Sequence, residues 1–220
     1  KINKDEYRIT AKFNNSTVIE QIIIKLKESN FKKVFLVARK DIINKVFSIM
    51  QNGSRYGISL GYVEEKDSNG TADTLRHVKG KINTNFLVIY GDVLFSLNLD
   101  EIWEEHLRRK GIGTLLLNTA ANPSKKGVVK IEGSKIMEFI QKPEKSDVYL
   151  GFASIFVAMP EILEYDGASL ELDLFPELAK KGLLNDSTNK YKFAFETLDN
   201  IKNRNMLGIG AADKPLKYAG

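Results

Sequence analysis

Gly91-Asp92 stands directly after the apolar run Phe86 to Tyr90 (FLVIY). Such a run reads as a buried strand, so Asp92 is expected at the carboxyl edge of a sheet, where α/β folds hold their ligands. A lone carboxylate there can hold one face of a Mg²⁺ whose remaining ligands are water and phosphate oxygens. An aspartate capping a turn would occupy the same position. A second candidate is Asn69-Gly70-Thr71-Ala72, between a strand and a helix. Glycine lets the backbone approach a planar base or a phosphate, and a helix N-terminus favours anions; an ordinary turn capped by Thr71 would read the same way. The chain has no cysteine, and His77 and His106 are its only histidines. Thiolate chemistry and a three-histidine metal site are excluded, and a Ser-His triad is disfavoured.

The elements that must position these residues follow from periodicity. Thr17 to Asn30 carries apolar residues at 18, 19, 22, 23 and 26, and Thr17-x-x-Glu20 reads as a capping box that starts a helix. Lys33 to Ala38 reads as a buried parallel strand, and a helix over about 41–51 stops at Asn52-Gly53. Ile58 to Val63 is a strand, Ala72 to Val78 a helix, and Phe86 to Tyr90 the most buried strand of the chain; Asp100 to Lys110 is a helix. The second half changes character. Thr114 to Thr119 is a strand, Val128 to Ile131 and Ile136 to Phe139 form a hairpin around Glu132-Gly133-Ser134, and Gly151 to Ala158 is a further strand. A helix over 170–181, a strand over 191–196 and a short helix from Asp199 complete the reading.

A chain of 220 residues, 43% hydrophobic and 28% charged, is globular in composition and large enough for a sizeable core. We expect one domain spanning 1–220: a three-layer α/β/α sandwich around a mixed, mostly parallel, Rossmann-like sheet with an antiparallel annex in the second half. No apolar run approaches the ~20 residues that cross a bilayer, and no signal segment opens the chain, so the expected location is cytoplasmic, away from membranes. The net charge of +5 comes from scattered lysines and arginines, densest at Arg108-Arg109-Lys110 and Lys125-Lys126, which read as solvated faces rather than a nucleic-acid surface.

The order of several short blocks adds a further expectation. Tyr62-Val63-Glu64-Glu65, Gly70-Thr71-Ala72, Gly91-Asp92-Val93-Leu94-Phe95, Gly127-Val128-Val129, Phe139-Ile140-Gln141-Lys142-Pro143, Pro160-Glu161 and Ser169-Leu170-Glu171-Leu172-Asp173 follow the helix of residues 17–30. From about Thr17 to Asn205 this order resembles the sugar-1-phosphate nucleotidyltransferase family. The resemblance implies the nucleotide-diphospho-sugar transferase fold and joining of a nucleoside triphosphate to a sugar-1-phosphate, with release of pyrophosphate. It implies that Asp92 binds Mg²⁺, that Glu65, Gly70 and Thr71 line the nucleotide pocket, and that Gly127, Gln141 and Glu171 serve the sugar. Lys142 would supply the cation for the sugar phosphate. A carboxylate only accepts hydrogen bonds, and guanine offers two adjacent donors on its pairing edge, so Glu65 leans the base towards guanine and the triphosphate towards GTP.

The departures are equally specific. The family's opening strand and glycine-rich loop have no counterpart before Thr17, since residues 1–16 contain no glycine. The family's second metal carboxylate aligns with Ala194, and Glu196, two residues on, would point to the same face of a strand and take its place. The family's Asn-Ala-Gly reads Phe152-Ala153-Ser154, and Gln141 stands where the family has a glutamate. The stretch Met206-Leu207-Gly208-Ile209-Gly210-Ala211-Ala212, followed by Lys214-Pro215-Leu216, is similar to the missing opening segment. Residues 206–220 either fill that place, which would bring Lys214 to the nucleotide, or form a frayed polar tail. The favoured activity is nucleotidyl transfer. The alternative is a catalytically degenerate relative that binds nucleotide or sugar nucleotide and regulates a partner. Association into homo-oligomers is left open by the sequence.

Overall fold

The computed structural model describes residues 7–120, 122–148 and 150–188, and the backbone of 196–197. A short ladder of β1 (Lys12–Phe13) and β2 (Ser16–Thr17) leads into α1 (Val18–Glu28). The capping box is present: the Thr17 N–H donates to the Glu20 carboxylate at 2.8 Å and the Glu20 N–H to Thr17 Oγ1 at 3.4 Å. The buried stripe of α1 is Val18, Ile19, Ile22, Ile23 and Leu26, the positions that its periodicity singled out. β3 (Lys33–Ala38), α2 (Lys40–Met50), β4 (Ser59–Glu64), α3 (Thr71–Arg76) and β5 (Phe86–Ile89) follow. Gly53, at φ 76°, turns the chain out of α2 in a left-handed conformation that favours glycine.

Next come β6 (Val93–Leu94), α4 (Leu99–Arg108), β7 (Gly113–Thr119), β8 (Gly127–Glu132), β9 (Lys135–Gln141) and β10 (Leu150–Ala158). The expected helix over 170–181 is a π-helical turn, Leu170–Leu174, that runs into α5 (Phe175–Lys180). β11 (Leu184–Thr188) closes the main sheet, and β12 (Glu196–Thr197) pairs with β6. The expected strand over 191–196 enters the described residues only at Glu196. The helix from Asp199 lies outside them.

The six-stranded sheet has the order β5-β10-β7-β11-β9-β8. The expectation of a mostly parallel sheet is corrected here: β7–β11 is the parallel pair, and β5–β10, β10–β7, β11–β9 and β9–β8 are antiparallel. The reason is local. A turn with Gly133 at φ 59° joins β8 to β9 too tightly for a crossover helix, and parallel pairing needs one. The other parallel pair, β3–β4, forms its own two-stranded sheet.

Separation of these sheets corrects a second expectation. Leu87, Val88 and Ile89 of β5 are only half-buried, whereas Leu115, Leu116 and Leu117 of β7 are fully enclosed. Among the described strands, β3 pairs with β4 alone and β5 with β10 alone. Both line an apolar slot of about 410 Å³, together with Ile22 and Leu75, and Gly91 and Asp92 also border it. β11 also went unread in the sequence, because Leu184-Asn185-Asp186-Ser187-Thr188 is polar. Tertiary partners allow it to be buried: Asn185 Nδ2 donates to the Lys110 carbonyl at 3.2 Å, and Arg109 donates to the Asp186 carbonyl at 2.7 Å.

The core under the site is aromatic. Phe156 and Phe175 are fully buried and meet edge to face at 5.3 Å, and Phe152 packs against Phe175, also at 5.3 Å. Phe156→Ala is expected to cost ~3–5 kcal/mol, read as a lowered urea midpoint with an unchanged denaturant slope. His106 is buried against β7 with Nδ1 2.9 Å from Thr114 Oγ1, and burial lowers its pKa. The unfolded chain therefore binds a proton more readily than the folded one. Stability is expected to decline as pH falls below about 6.5, where the unfolded histidine charges. Urea midpoints at pH 7.5 and 5.5 should differ less in His106→Asn.

Candidate active site

Asp92 sits where the sequence suggested, just beyond the carboxyl end of β5, and only 3% of it is exposed. Arg8 Nη1, from the 3₁₀ turn Arg8–Thr10, lies 3.9 Å from Asp92 Oδ2. Nothing in the sequence flags Arg8; it reaches Asp92 because Ile9 packs beside Gly91, where an added Cβ would lie 2.9 Å from Ile9 Cδ1. β12 brings the backbone of Glu196 opposite Leu94, two residues beyond Asp92. Among the described residues no group of three or more His, Asp or Glu converges.

The Gly70–Thr71 loop is fastened to the segment 165–173. Ala72 and Asp73 donate their N–H groups to the Ala168 carbonyl at 2.8 and 3.2 Å, and a Cβ on Gly70 would sit 2.5 Å from that oxygen. Gly70 is therefore required for close approach of two backbones. Those two N–H groups, candidates for anion binding in the sequence, are engaged within the protein. Arg76 completes the attachment with bonds to the carbonyls of Tyr165, at 2.6 Å, and Gly167, at 2.5 Å, and to Asp73 at 2.6 Å. Glu65 is joined to the same loop, since Thr74 Oγ1 donates to Glu65 Oε1 at 2.7 Å and lies 3.1 Å from the Gly70 carbonyl oxygen. Glu65 Oε2 is buried and has no hydrogen-bond partner.

Glu171 belongs to this cluster. Its carboxylate accepts from the Tyr90 hydroxyl at 2.5 Å, the Thr71 hydroxyl at 2.8 Å and the Ser169 hydroxyl at 3.3 Å. Burial pushes the Tyr90 phenol well above its ordinary pKa, and the negative charges of Glu171 and Asp92 add to the shift. Tyr90 was legible in the sequence only as the end of an apolar strand. Its polar tip is what ties Glu171 to the Asp92 edge.

Gly127 and Gln141 are direct partners in the β8–β9 ladder. A Cβ on Gly127 would lie 2.4 Å from the Phe139 ring and 2.8 Å from Gln141 Oε1, so glycine is what lets these two side chains pack against the start of β8. Gln141 Oε1 is buried without a hydrogen-bond partner. Lys142 follows at φ 49°, with its N–H donated to the Lys126 carbonyl at 2.9 Å. Phe152 bridges the two halves, with its ring 5.9 Å from Tyr90 and 6.2 Å from Phe139. Asp92, Glu65, Gly70, Thr71 and Glu171 thus form one cluster, with Gly127, Gln141 and Lys142 across the aromatic bridge. Lys214 and the stretch Met206 to Ala212 lie outside the described residues.

This arrangement agrees with what is known of other proteins. The sequence model for nucleotidyl transferase matches residues 7–198. The chain belongs to the nucleotidyl transferase family. It is 29% identical over 138 residues to the mannose-1-phosphate guanylyltransferase catalytic subunit beta of Danio rerio, covering 59% of this chain and 38% of that protein. It is 25% identical over 179 residues to the mannose-1-phosphate guanyltransferase of Yarrowia lipolytica, covering 78% of this chain and 49% of that protein. The chain thus spans no more than about half the length of these curated relatives. Among solved structures, a Bacillus anthracis protein described as a glucose-1-phosphate thymidylyltransferase superposes with a TM-score of 0.81 at 20% identity, over 96% of this chain and 92% of that one. The fold is therefore the Rossmann-like α/β fold of these transferases.

The family loop around Gly70 can be probed directly. Gly70→Ala would force the loop off Ala168 and is expected to cost ~1–3 kcal/mol. Thermal unfolding should move down by about 2–4 °C per kcal/mol at this chain length.

Proposed function

We propose that this chain carries the site of a sugar-1-phosphate nucleotidyltransferase. The observation that carries the reading is the buried Asp92 at the carboxyl end of β5, beside the Gly70–Thr71 loop, within a chain of this family. A phosphate oxygen of the sugar-1-phosphate attacks the α-phosphorus of the triphosphate. One P–O bond forms, the bond to the bridging oxygen breaks, and pyrophosphate leaves. Such a displacement needs positioning and charge neutralisation rather than a nucleophilic side chain, which suits a chain with no cysteine and two histidines placed in structural roles.

A Mg²⁺ would suit the buried Asp92 carboxylate. Magnesium keeps several waters and binds through one or two carboxylates plus substrate phosphates, and Asp92 with Glu196 would supply those carboxylates. When bound, it would neutralise charge developing on the phosphates. Glu65, Gly70 and Thr71 hold the nucleotide. The free acceptor Glu65 Oε2 suits the two donors of guanine, and the guanylyltransferase relatives support GTP as the triphosphate. Gly127 borders the sugar side, where Gln141 Oε1 would accept a hydrogen bond from a sugar hydroxyl, and Lys142 would neutralise the sugar phosphate. Lys214 would join the nucleotide side if residues 206–212 complete the sheet. The scaffold in this reading is a three-layer α/β/α sandwich.

The test is Mg²⁺-dependent release of pyrophosphate from each common nucleoside triphosphate with a panel of sugar-1-phosphates. Turnover is expected with GTP and should fall by about 10²-fold or more in Asp92→Asn. Nucleotide binding without turnover would favour the degenerate, regulatory relative.

A further inference from the structure

We infer that Glu171 acts as a positioning residue for the nucleotide loop, through Thr71 and Tyr90, rather than as a ligand of the sugar. This rests on the nucleotidyl-transfer reading above. Three hydroxyls converge on the Glu171 carboxylate, which is 7% exposed. A carboxylate only accepts, so each hydroxyl must spend its single proton on it. Thr71 is held at both ends. Its oxygen accepts the Leu170 N–H at 2.8 Å while its proton goes to Glu171, and this fixes the rotation of the hydroxyl next to Gly70. Tyr90 is fully buried, with its phenol kept protonated by burial and by the neighbouring carboxylates, so it remains a donor throughout the physiological range.

The segment carrying Glu171 is itself ordered. Asp173 Oδ2 accepts the N–H groups of Ala168 and Ser169 at 2.9 and 2.8 Å, and Ser169 Oγ caps the π-helical turn by accepting the Leu172 N–H at 3.1 Å. Ala168 in turn offers its carbonyl to Ala72 and Asp73. Two rigid pieces therefore meet at Glu171: the strand end that carries Asp92, and the loop that carries Gly70. Charge-assisted hydrogen bonds in a buried site fix their separation more firmly than neutral ones would. That separation sets the distance from the base to the triphosphate.

The experiment measures GTP affinity by calorimetry, KM for both substrates, and amide hydrogen exchange at residues 70–75. It compares wild type with Glu171→Gln, Thr71→Val, Thr71→Ser and Tyr90→Phe. Glu171→Gln and Thr71→Val are expected to weaken GTP binding about tenfold, which is the loss of one charge-assisted bond. The sugar-phosphate KM should stay within about twofold, exchange at 70–75 should rise, and Thr71→Ser should restore wild-type values. Tyr90→Phe should raise the same exchange while leaving the fold intact. The inference is overturned if Glu171→Gln raises the sugar-phosphate KM with GTP affinity unchanged, which is the signature of a direct sugar ligand. It is also overturned if exchange at 70–75 does not respond. A wild type that binds no nucleotide would instead remove the proposed function, and the exchange data alone would then decide whether Glu171 positions the loop.

Discussion

Strand β10 makes hydrogen-bonded pairs with β5, β7 and β8, so the two edges of one nine-residue strand hold both halves of the molecule in register. Its ladder with β7 shifts between Phe152 and Phe156, and Ser154, at φ 60°, sits in that irregularity. A bulge bends its strand and re-aims side chains. Here the Ser154 carbonyl accepts the Tyr90 N–H at 3.1 Å, which fixes the residue that carries β5 into Gly91-Asp92. The Phe152 ring meets Tyr90 on one side and Phe139 on the other. The location of Asp92 relative to Gly127 and Gln141 is thus inherited from a single strand.

Negative charge gathers around Tyr90 at the carboxyl end of β5. Asp92 and Glu171 both act on the Tyr90 phenol, and Arg8 approaches Asp92. The donors that Glu171 collects are hydroxyls rather than cations, so its charge is stabilised by hydrogen bonds inside the fold. Glu65 Oε2 and Gln141 Oε1 are the opposite case: buried acceptors with no partner, one on each side of the aromatic bridge. A buried acceptor without a partner is costly, and a ligand carrying donors relieves that cost.

The slot between β3 and β5 follows from the same architecture. Each strand satisfies one edge, on β4 and β10 respectively, and both contribute apolar side chains to the space between them. α1 supplies Ile19, Ile22, Ile23 and Leu26 to the same wall, and α3 supplies Leu75.

Local sequence determined most of the elements. The Thr17–Glu20 capping box, the apolar stripe of α1, the runs of β3, β5, β7 and β10 and the hairpin turn at Gly133 each depend on neighbours within a few residues, so each was legible. So was Asp92 at a strand end, because strand period and the residue after it are local facts. Tertiary structure decided the remainder. β11 is polar, and its burial depends on Arg109 and on the Lys110 carbonyl. Sheet order and the predominance of antiparallel pairs are properties of which strands meet. Arg8 reaches Asp92 across 84 positions of the chain, and Glu171 finds Thr71 and Tyr90 across 100 and 81. Contacts between such distant residues leave no periodic trace in the sequence, and whether a carboxylate contacts substrate or braces the loop beside it depends on donors that only folding brings together.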